Sequence, residues 1–211
     1  MTIDIWSDIR CPFCYIGKTR LEQAIAEFEH GGEVTINWKA FELDPTIKTD
    51  LTVSTKEYLA QQKGMPLEQV DQMFAQVTQM AQAEGLVMDL EQSITANSFK
   101  AHQLSYYAQS KGLQNEVEEA LFQAHFSNAI NIDDVEELVK IGTQAGLEAD
   151  KVREILNTDA YTRAVEEDEA MARSIGVNSV PFFIVNQKYA LKGAQSKDYF
   201  LETLREIYKE N

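Results

Sequence analysis

Apolar and polar residues alternate at the start of the chain. In TIDIWS, residues 2–7, Ile3 and Ile5 stand between polar neighbours, and EVTINWKAF repeats the pattern with Val34, Ile36, Trp38 and Ala40. A period of two predicts two strands. Between them Phe13, Ile16, Leu21, Ala24, Ile25 and Phe28 recur at helical spacing, and Gly31-Gly32 supplies the stop. The opening therefore reads β-α-β.

From about residue 54 to 175 the alternation disappears and helical punctuation replaces it. Ser54 with Glu57 forms a capping-box pattern, and Pro66 suits a first helical position. Val70, Met73, Phe74, Val77 and Met80 make an apolar stripe that ends before Gly85, and Asp133 with Glu136 reads as a further cap, its helix ending near Gly146. The spacing predicts about six helices here. The strand signal returns in PFFIV and YALKG, joined across Asn186-Gln187 as an antiparallel hairpin, although Gly would suit the second turn position better than Gln. Ser196 then caps a last helix carrying Phe200, Leu201, Leu204 and Ile207.

The chain has 211 residues, 44% of them hydrophobic, enough for a sizeable core without a stabilising cross-link. A bridge closing the short Cys11–Cys14 loop would restrict the unfolded chain little. Nineteen basic against thirty-four acidic residues give a net charge of -15, which disfavours nucleic acid and anionic membrane surfaces as partners. No apolar window approaches membrane-spanning length and no export signal is visible, so a cytoplasmic location is the expectation.

Both cysteines lie in SDIRCPFCYIG, three positions apart, between the first strand and the first helix. A helix N-terminus presents unpaired N–H groups and the positive end of its dipole, which favour a thiolate. Cys11 is expected near the N-cap with Pro12 at the first helical position, its sulfur exposed, and Cys14 one turn inside. Thiol–disulfide exchange needs that pairing: Cys11 as attacker and Cys14 as resolver. Arg10 and Lys18 are candidates for added positive potential. A zinc site is disfavoured because His30, His102 and His125 form no paired ligand spacing, and no metal is expected. His30 reads as an ordinary surface or core histidine; for His125 that reading and a role in the site stand level. Val180-Pro181, before PFFIV, is either simple strand punctuation or a cis bond that presents the Val180 backbone to an extended substrate.

CPFC after a first strand, a long helical stretch, and VPFF leading to LKGAQ together resemble the thioredoxin-fold DsbA family, and within it the FrnE-like branch. WKAFELDP, NSFKAHQL and LFQAHFSNAINIDD extend the resemblance over nearly the whole chain. It implies an α/β thioredoxin fold with a large all-helical insertion: residues 1–50 and 160–211 forming the thioredoxin-like domain and 51–159 the inserted one. It further implies a cis Pro181 facing the active sulfur, with Pro12, Phe13, Val180, Asn97 and His102 contributing to substrate binding. Asn97 reads equally as a helix cap and His102 as a packed core residue. Glu42 is a candidate proton relay to Cys14, although a solvated loop carboxylate is the simpler reading.

Strong oxidants of this family carry His where this chain has Phe13. Without that donor the reduced form loses stabilisation, so reduction or isomerisation is expected over oxidation. The resemblance implies no tightly bound cofactor beyond the redox-active Cys11–Cys14 pair. Its partners would be client proteins with thiols or disulfides, and glutathione or a thioredoxin system as reductant. The competing readings are a glutathione-dependent transferase or isomerase of the kappa-class or 2-hydroxychromene-2-carboxylate isomerase type, which has no need of Cys14, and a non-catalytic binding module using Met65, Met73, Met80 and Met88 as an adaptable surface.

Overall fold

The structure is a computed structural model and describes residues 1–210. Strand β1 (Thr2–Ser7) leads through helix α1 (Pro12–Glu27) to β2 (Thr35–Ala40). The two strands are parallel, Thr2 opposite Thr35 and Ser7 opposite Ala40, so α1 is the crossover that parallel pairing requires. A hairpin of β3 (Phe182–Val185) and β4 (Tyr189–Lys192) adds to the other edge of β1, antiparallel to it, and α9 (Lys197–Lys209) closes the chain. The sheet order is β2-β1-β3-β4. β1 is therefore central, and the loop that follows it lies in the middle of one sheet end, where the cysteines are.

Seven helices separate β2 from β3 among the described residues: α2 (Thr55–Lys63), α3 (Leu67–Ala83), α4 (Phe99–Gln109), α5 (Gln114–Phe126), α6 (Val135–Gln144), α7 (Ala149–Leu156) and α8 (Thr162–Ser174). That is one more than the spacing predicts. Neither α7 nor α8 has a side-chain cap at its start, and without a cap a short helix leaves little local signal. Ser54 makes the full capping box with Glu57, and Ser196 accepts from the Tyr199 amide as expected. The cap of α6 is Asp134 and not Asp133: Asp134 accepts from the Glu136 and Glu137 amides, while Asp133 binds Lys100 and the Thr49 hydroxyl. The Pro66 expectation falls one residue short, Pro66 being the N-cap of α3.

One contiguous apolar core runs through sheet and helices. Ile3, Ile5 and Phe183 from the sheet pack with Ile16 and Leu21 of α1 and Phe200 and Leu204 of α9, all nearly inaccessible. On the helical side, Tyr15 of α1 stacks on Phe122 of α5 with ring centroids 4.9 Å apart, and the Trp38 ring meets the edge of Phe122. Burying a side chain such as Phe122 contributes roughly 1.5–3 kcal/mol. Asp168 of α8 adds a polar tie, accepting from the Ala40 amide at 2.9 Å while its backbone carbonyl accepts from Trp6 Nε1 at 3.1 Å. These contacts fix the helical block against the sheet end that carries the cysteines.

Candidate active site

Cys11 is the N-cap of α1 in extended conformation, with Pro12 opening the helix. No side chain caps this end and no acidic residue sits in the first turn, so the positive end of the α1 dipole lies at Cys11 without a side-chain cap. The Cys11 amide donates to the Asp8 carbonyl at 3.0 Å, which makes the tight turn out of β1. Both cysteines are free thiols. The Cys11 thiol donates to the Val180 carbonyl at 3.7 Å, across from the Val180–Pro181 peptide bond, which is cis. Gly17 lets α1 and the β3 segment come this close, since a Cβ there would lie 3.0 Å from Pro181 Cγ.

Cys14 is fully buried. Burial pushes its thiol well above the ordinary range, the hydrogen bond to Cys11 and the nearby Cys11 sulfur add to this, and the Ser7 hydroxyl and Asp8 amide oppose it. Cys14 thus holds its proton beside the Cys11 thiol.

Cys11 itself is only 4% exposed, so the expected open sulfur is not found. Helices α2 and α3 and the loop after β2 share a cavity with it. The cavity, of about 590 Å³, is lined by Cys11, Pro12, Phe13 and Val180 on one side and by residues such as Tyr58, Phe74, Val77 and Phe126 on the other. Met73 also lines it, whereas Met88 is core. Arg10 reaches the same cavity, its guanidinium 5.3 Å from the Tyr58 ring centroid. Lys18, by contrast, brings no free charge to the sulfur: it is buried between Glu22 at 2.8 Å and Glu119 at 2.6 Å.

Asn97 and His102 do not line the cavity. Asn97 works as a local cap, accepting from the Phe99 amide at 2.8 Å and donating to the Ile47 carbonyl at 3.3 Å. His102, 3% exposed, lies behind the cysteine loop with Nε2 4.0 Å from Asp8 Oδ1. Both belong to α4 and its lead-in, which the sheet end and α8 cover. Nor is Glu42 a solvated carboxylate. Burial, with the Glu169 and Asp8 carboxylates beside it, pushes it up to about 8, while Asn97 Nδ2 donates to it at 3.4 Å. A cluster of Asp8, Glu42, Glu169 and His102 therefore underlies the cysteine loop. Its members come from four separate segments; the sequence pointed to Glu42 and His102, in other roles, and not to Asp8 or Glu169.

His125 is 2% exposed and lines the cavity beside Cys11; burial first, and the Arg10 charge second, push it down to about 4, so it is neutral. His30 instead sits on the surface, bonded to Glu33 and stacked on Tyr208. Among the described residues no cluster of three or more His, Cys, Asp and Glu side chains is placed to hold a metal ion, and no helix is long and apolar enough to cross a membrane.

A four-stranded sheet of this order, with a Cys-X-X-Cys at the mouth of its first helix and a helical block between β2 and β3, defines a thioredoxin-type thiol protein. The chain belongs to the DSBA-like thioredoxin domain family, whose model matches residues 2–205. It is 32% identical to a probable DsbA oxidoreductase from Streptomyces coelicolor, with a TM-score of 0.92 over 100% of this chain and 91% of that one. It is 26% identical to YwbO, an uncharacterized protein of Bacillus subtilis (strain 168), over 98% of this chain and 97% of that one. The cytosolic disulfide reductase DsbM from Pseudomonas aeruginosa, also solved with GSH, shares the fold at a TM-score of 0.69 and 15% identity, each chain covered completely or nearly so.

Proposed function

We propose that this thiol–disulfide oxidoreductase works as a reductase through the Cys11–Cys14 pair. The Cys11 thiolate attacks a client disulfide, forming a Cys11–client mixed disulfide and releasing the other client sulfur as a thiolate that takes up a proton. Cys14 then loses its proton and attacks Cys11 Sγ. The client leaves with two thiols, having gained two electrons, and the Cys11–Cys14 disulfide remains. Two molecules of a thiol reductant such as glutathione restore the dithiol and become a disulfide themselves. Clients in this reading are proteins that present a disulfide on an extended segment along the Val180 backbone, and the reaction belongs in the cytoplasm, where such reductants are maintained.

The observation that carries this reading is the hydrogen-bonded pair itself: a Cys11 sulfur at an uncapped helix start, against the Val180 carbonyl, with a buried protonated Cys14 behind it. The same observation disfavours the glutathione-dependent isomerase or transferase alternative, which has no use for a resolving thiol. The test is the rate of reduction of a model disulfide by glutathione. Wild type should accelerate it strongly and Cys11→Ser should not; equal rates for wild type, Cys11→Ser and protein-free solution would remove the proposal and direct attention to glutathione-dependent isomerisation.

A further inference from the structure

Ser7 ends β1, is 2% exposed, and its Oγ has no well-formed hydrogen bond among the described residues. The strand decides where that hydroxyl points. Ile5 stands opposite Phe183, whose Cζ lies 3.4 Å from where a Cβ on Gly17 would be, so the Ile5 face of the sheet is the one that α1 covers. Side chains alternate along a strand. Ser7 therefore turns towards α1, while Trp6 turns the other way, its Nε1 donating to the Asp168 carbonyl of α8. The first turn of α1 carries Cys14, 1% exposed, and the Ser7 hydroxyl and the Asp8 amide both favour the anionic form of that sulfur. Two donors from consecutive residues thus converge on Cys14. An unpaired buried hydroxyl is costly, and a neutral thiol is a weak acceptor. Ser7 gains a full partner only when Cys14 carries negative charge.

Resting on the assignment of Cys14 as the resolving thiol, we propose that Ser7 is a catalytic residue whose hydroxyl donates to the Cys14 sulfur while that sulfur, as a thiolate, attacks the mixed disulfide. In this step Cys14 gives its proton to solvent, a bond forms between Cys14 Sγ and Cys11 Sγ, and the bond from Cys11 Sγ to the client sulfur breaks. The client sulfur leaves with the bonding pair and takes up a proton. The two cysteines end oxidised as their disulfide, the client ends reduced, and Ser7 keeps its own proton throughout. A bond that is weak to the thiol and strong to the thiolate lowers the barrier without stabilising the resting state equally. Attack by Cys11 has a different support: the start of α1, with the Val180 carbonyl across from it. The two halves of the exchange are therefore served by different groups, and they can be separated by substitution.

The test is a stopped-flow reaction of the reduced protein with excess dipyridyl disulfide, which releases one thiopyridone when Cys11 attacks and a second when Cys14 resolves. The first phase scales with probe concentration and the second does not. Ser7→Ala should keep the first rate constant within about twofold of wild type and lower the second about tenfold, the scale of one charge-assisted hydrogen bond. Two further variants separate the hydroxyl from its shape. Ser7→Thr should hold the second rate constant within about threefold of wild type, and Ser7→Val, of the same shape without the hydroxyl, should fall with Ser7→Ala. A second phase in Ser7→Ala within about twofold of wild type overturns the proposal. So does an equal fall in both phases, which marks Ser7 as a support for the turn alone, and so do equal second phases in Ser7→Thr and Ser7→Val. Failure of the underlying assignment looks different: a Cys14→Ser protein would then release its second thiopyridone at the wild-type rate.

Discussion

Replacing Glu42 with Gln isolates the cost of the acid held beneath the cysteine loop. Burial and the Glu169 and Asp8 carboxylates push the Glu42 carboxyl up to about 8 from an ordinary 4.5. Between those values the native chain holds a proton that the unfolded chain has released. The stability is therefore full below about pH 4.5 and falls as pH rises toward about pH 8, remaining low above it. At ~1.4 kcal/mol per tenfold, the loss has a ceiling of roughly 5 kcal/mol. Glu42 is only half-buried, and solvent screening on its open side brings the expected loss to about 1–2 kcal/mol. Gln retains an oxygen for Asn97 and offers an N–H to Glu169 with no charge to bury. Glu42→Gln should raise Tm by about 2–6 °C at about pH 9 and leave it within about 1 °C at about pH 4, read by circular dichroism across a pH series. The same increment at both ends, or a lower Tm at high pH, refutes the placement of a protonated acid there.

Gly17→Ala should cost about 1–3 kcal/mol in urea unfolding and slow the reaction of Cys11 with disulfides, because the new methyl meets Pro181 Cγ at 3.0 Å and the Ala194 backbone at 3.4 Å. Gln187→Gly should raise the urea midpoint by the equivalent of roughly 0.5–1 kcal/mol with no change in exchange rate, since Gln187 holds φ at 57° in the β3–β4 turn. Lys18→Met should cost about 1–2 kcal/mol and make stability less sensitive to salt, as it leaves Glu119 without the cation it now faces at 2.6 Å.

What the sequence made legible was whatever is encoded within a few residues. The alternation of Ile3 and Ile5 marks β1, and Ser54 and Ser196 mark their helices because capping is a local hydrogen bond. The neighbouring acids Asp133 and Asp134 look alike in sequence, and only the backbone path decides that Asp134 caps while Asp133 reaches Lys100. The β3–β4 turn shows the same limit: strand register runs Val185 opposite Tyr189, so Lys188 joins Asn186 and Gln187 in the connection. The cysteine pair and its helix start were legible for the same local reason. The cavity wall was not. His125, Tyr58 and Phe74 reach the cavity from three different helices, and the burial of Glu42 depends on Glu169 of α8 folding back on the loop after β2. The open Cys11 expected from the motif alone is instead 4% exposed, in a cavity that these distant helices help to line.

The central claim is that Cys11 attacks and Cys14 resolves, and the most direct measurement is mass mapping of Cys14→Ser after reaction with a small disulfide. A single persistent adduct on Cys11, absent from Cys11→Ser and transient in wild type, is the expected result. No adduct on Cys11 in the Cys14→Ser protein, or an equally stable adduct on Cys14 when Cys11 is replaced, would contradict the assigned roles.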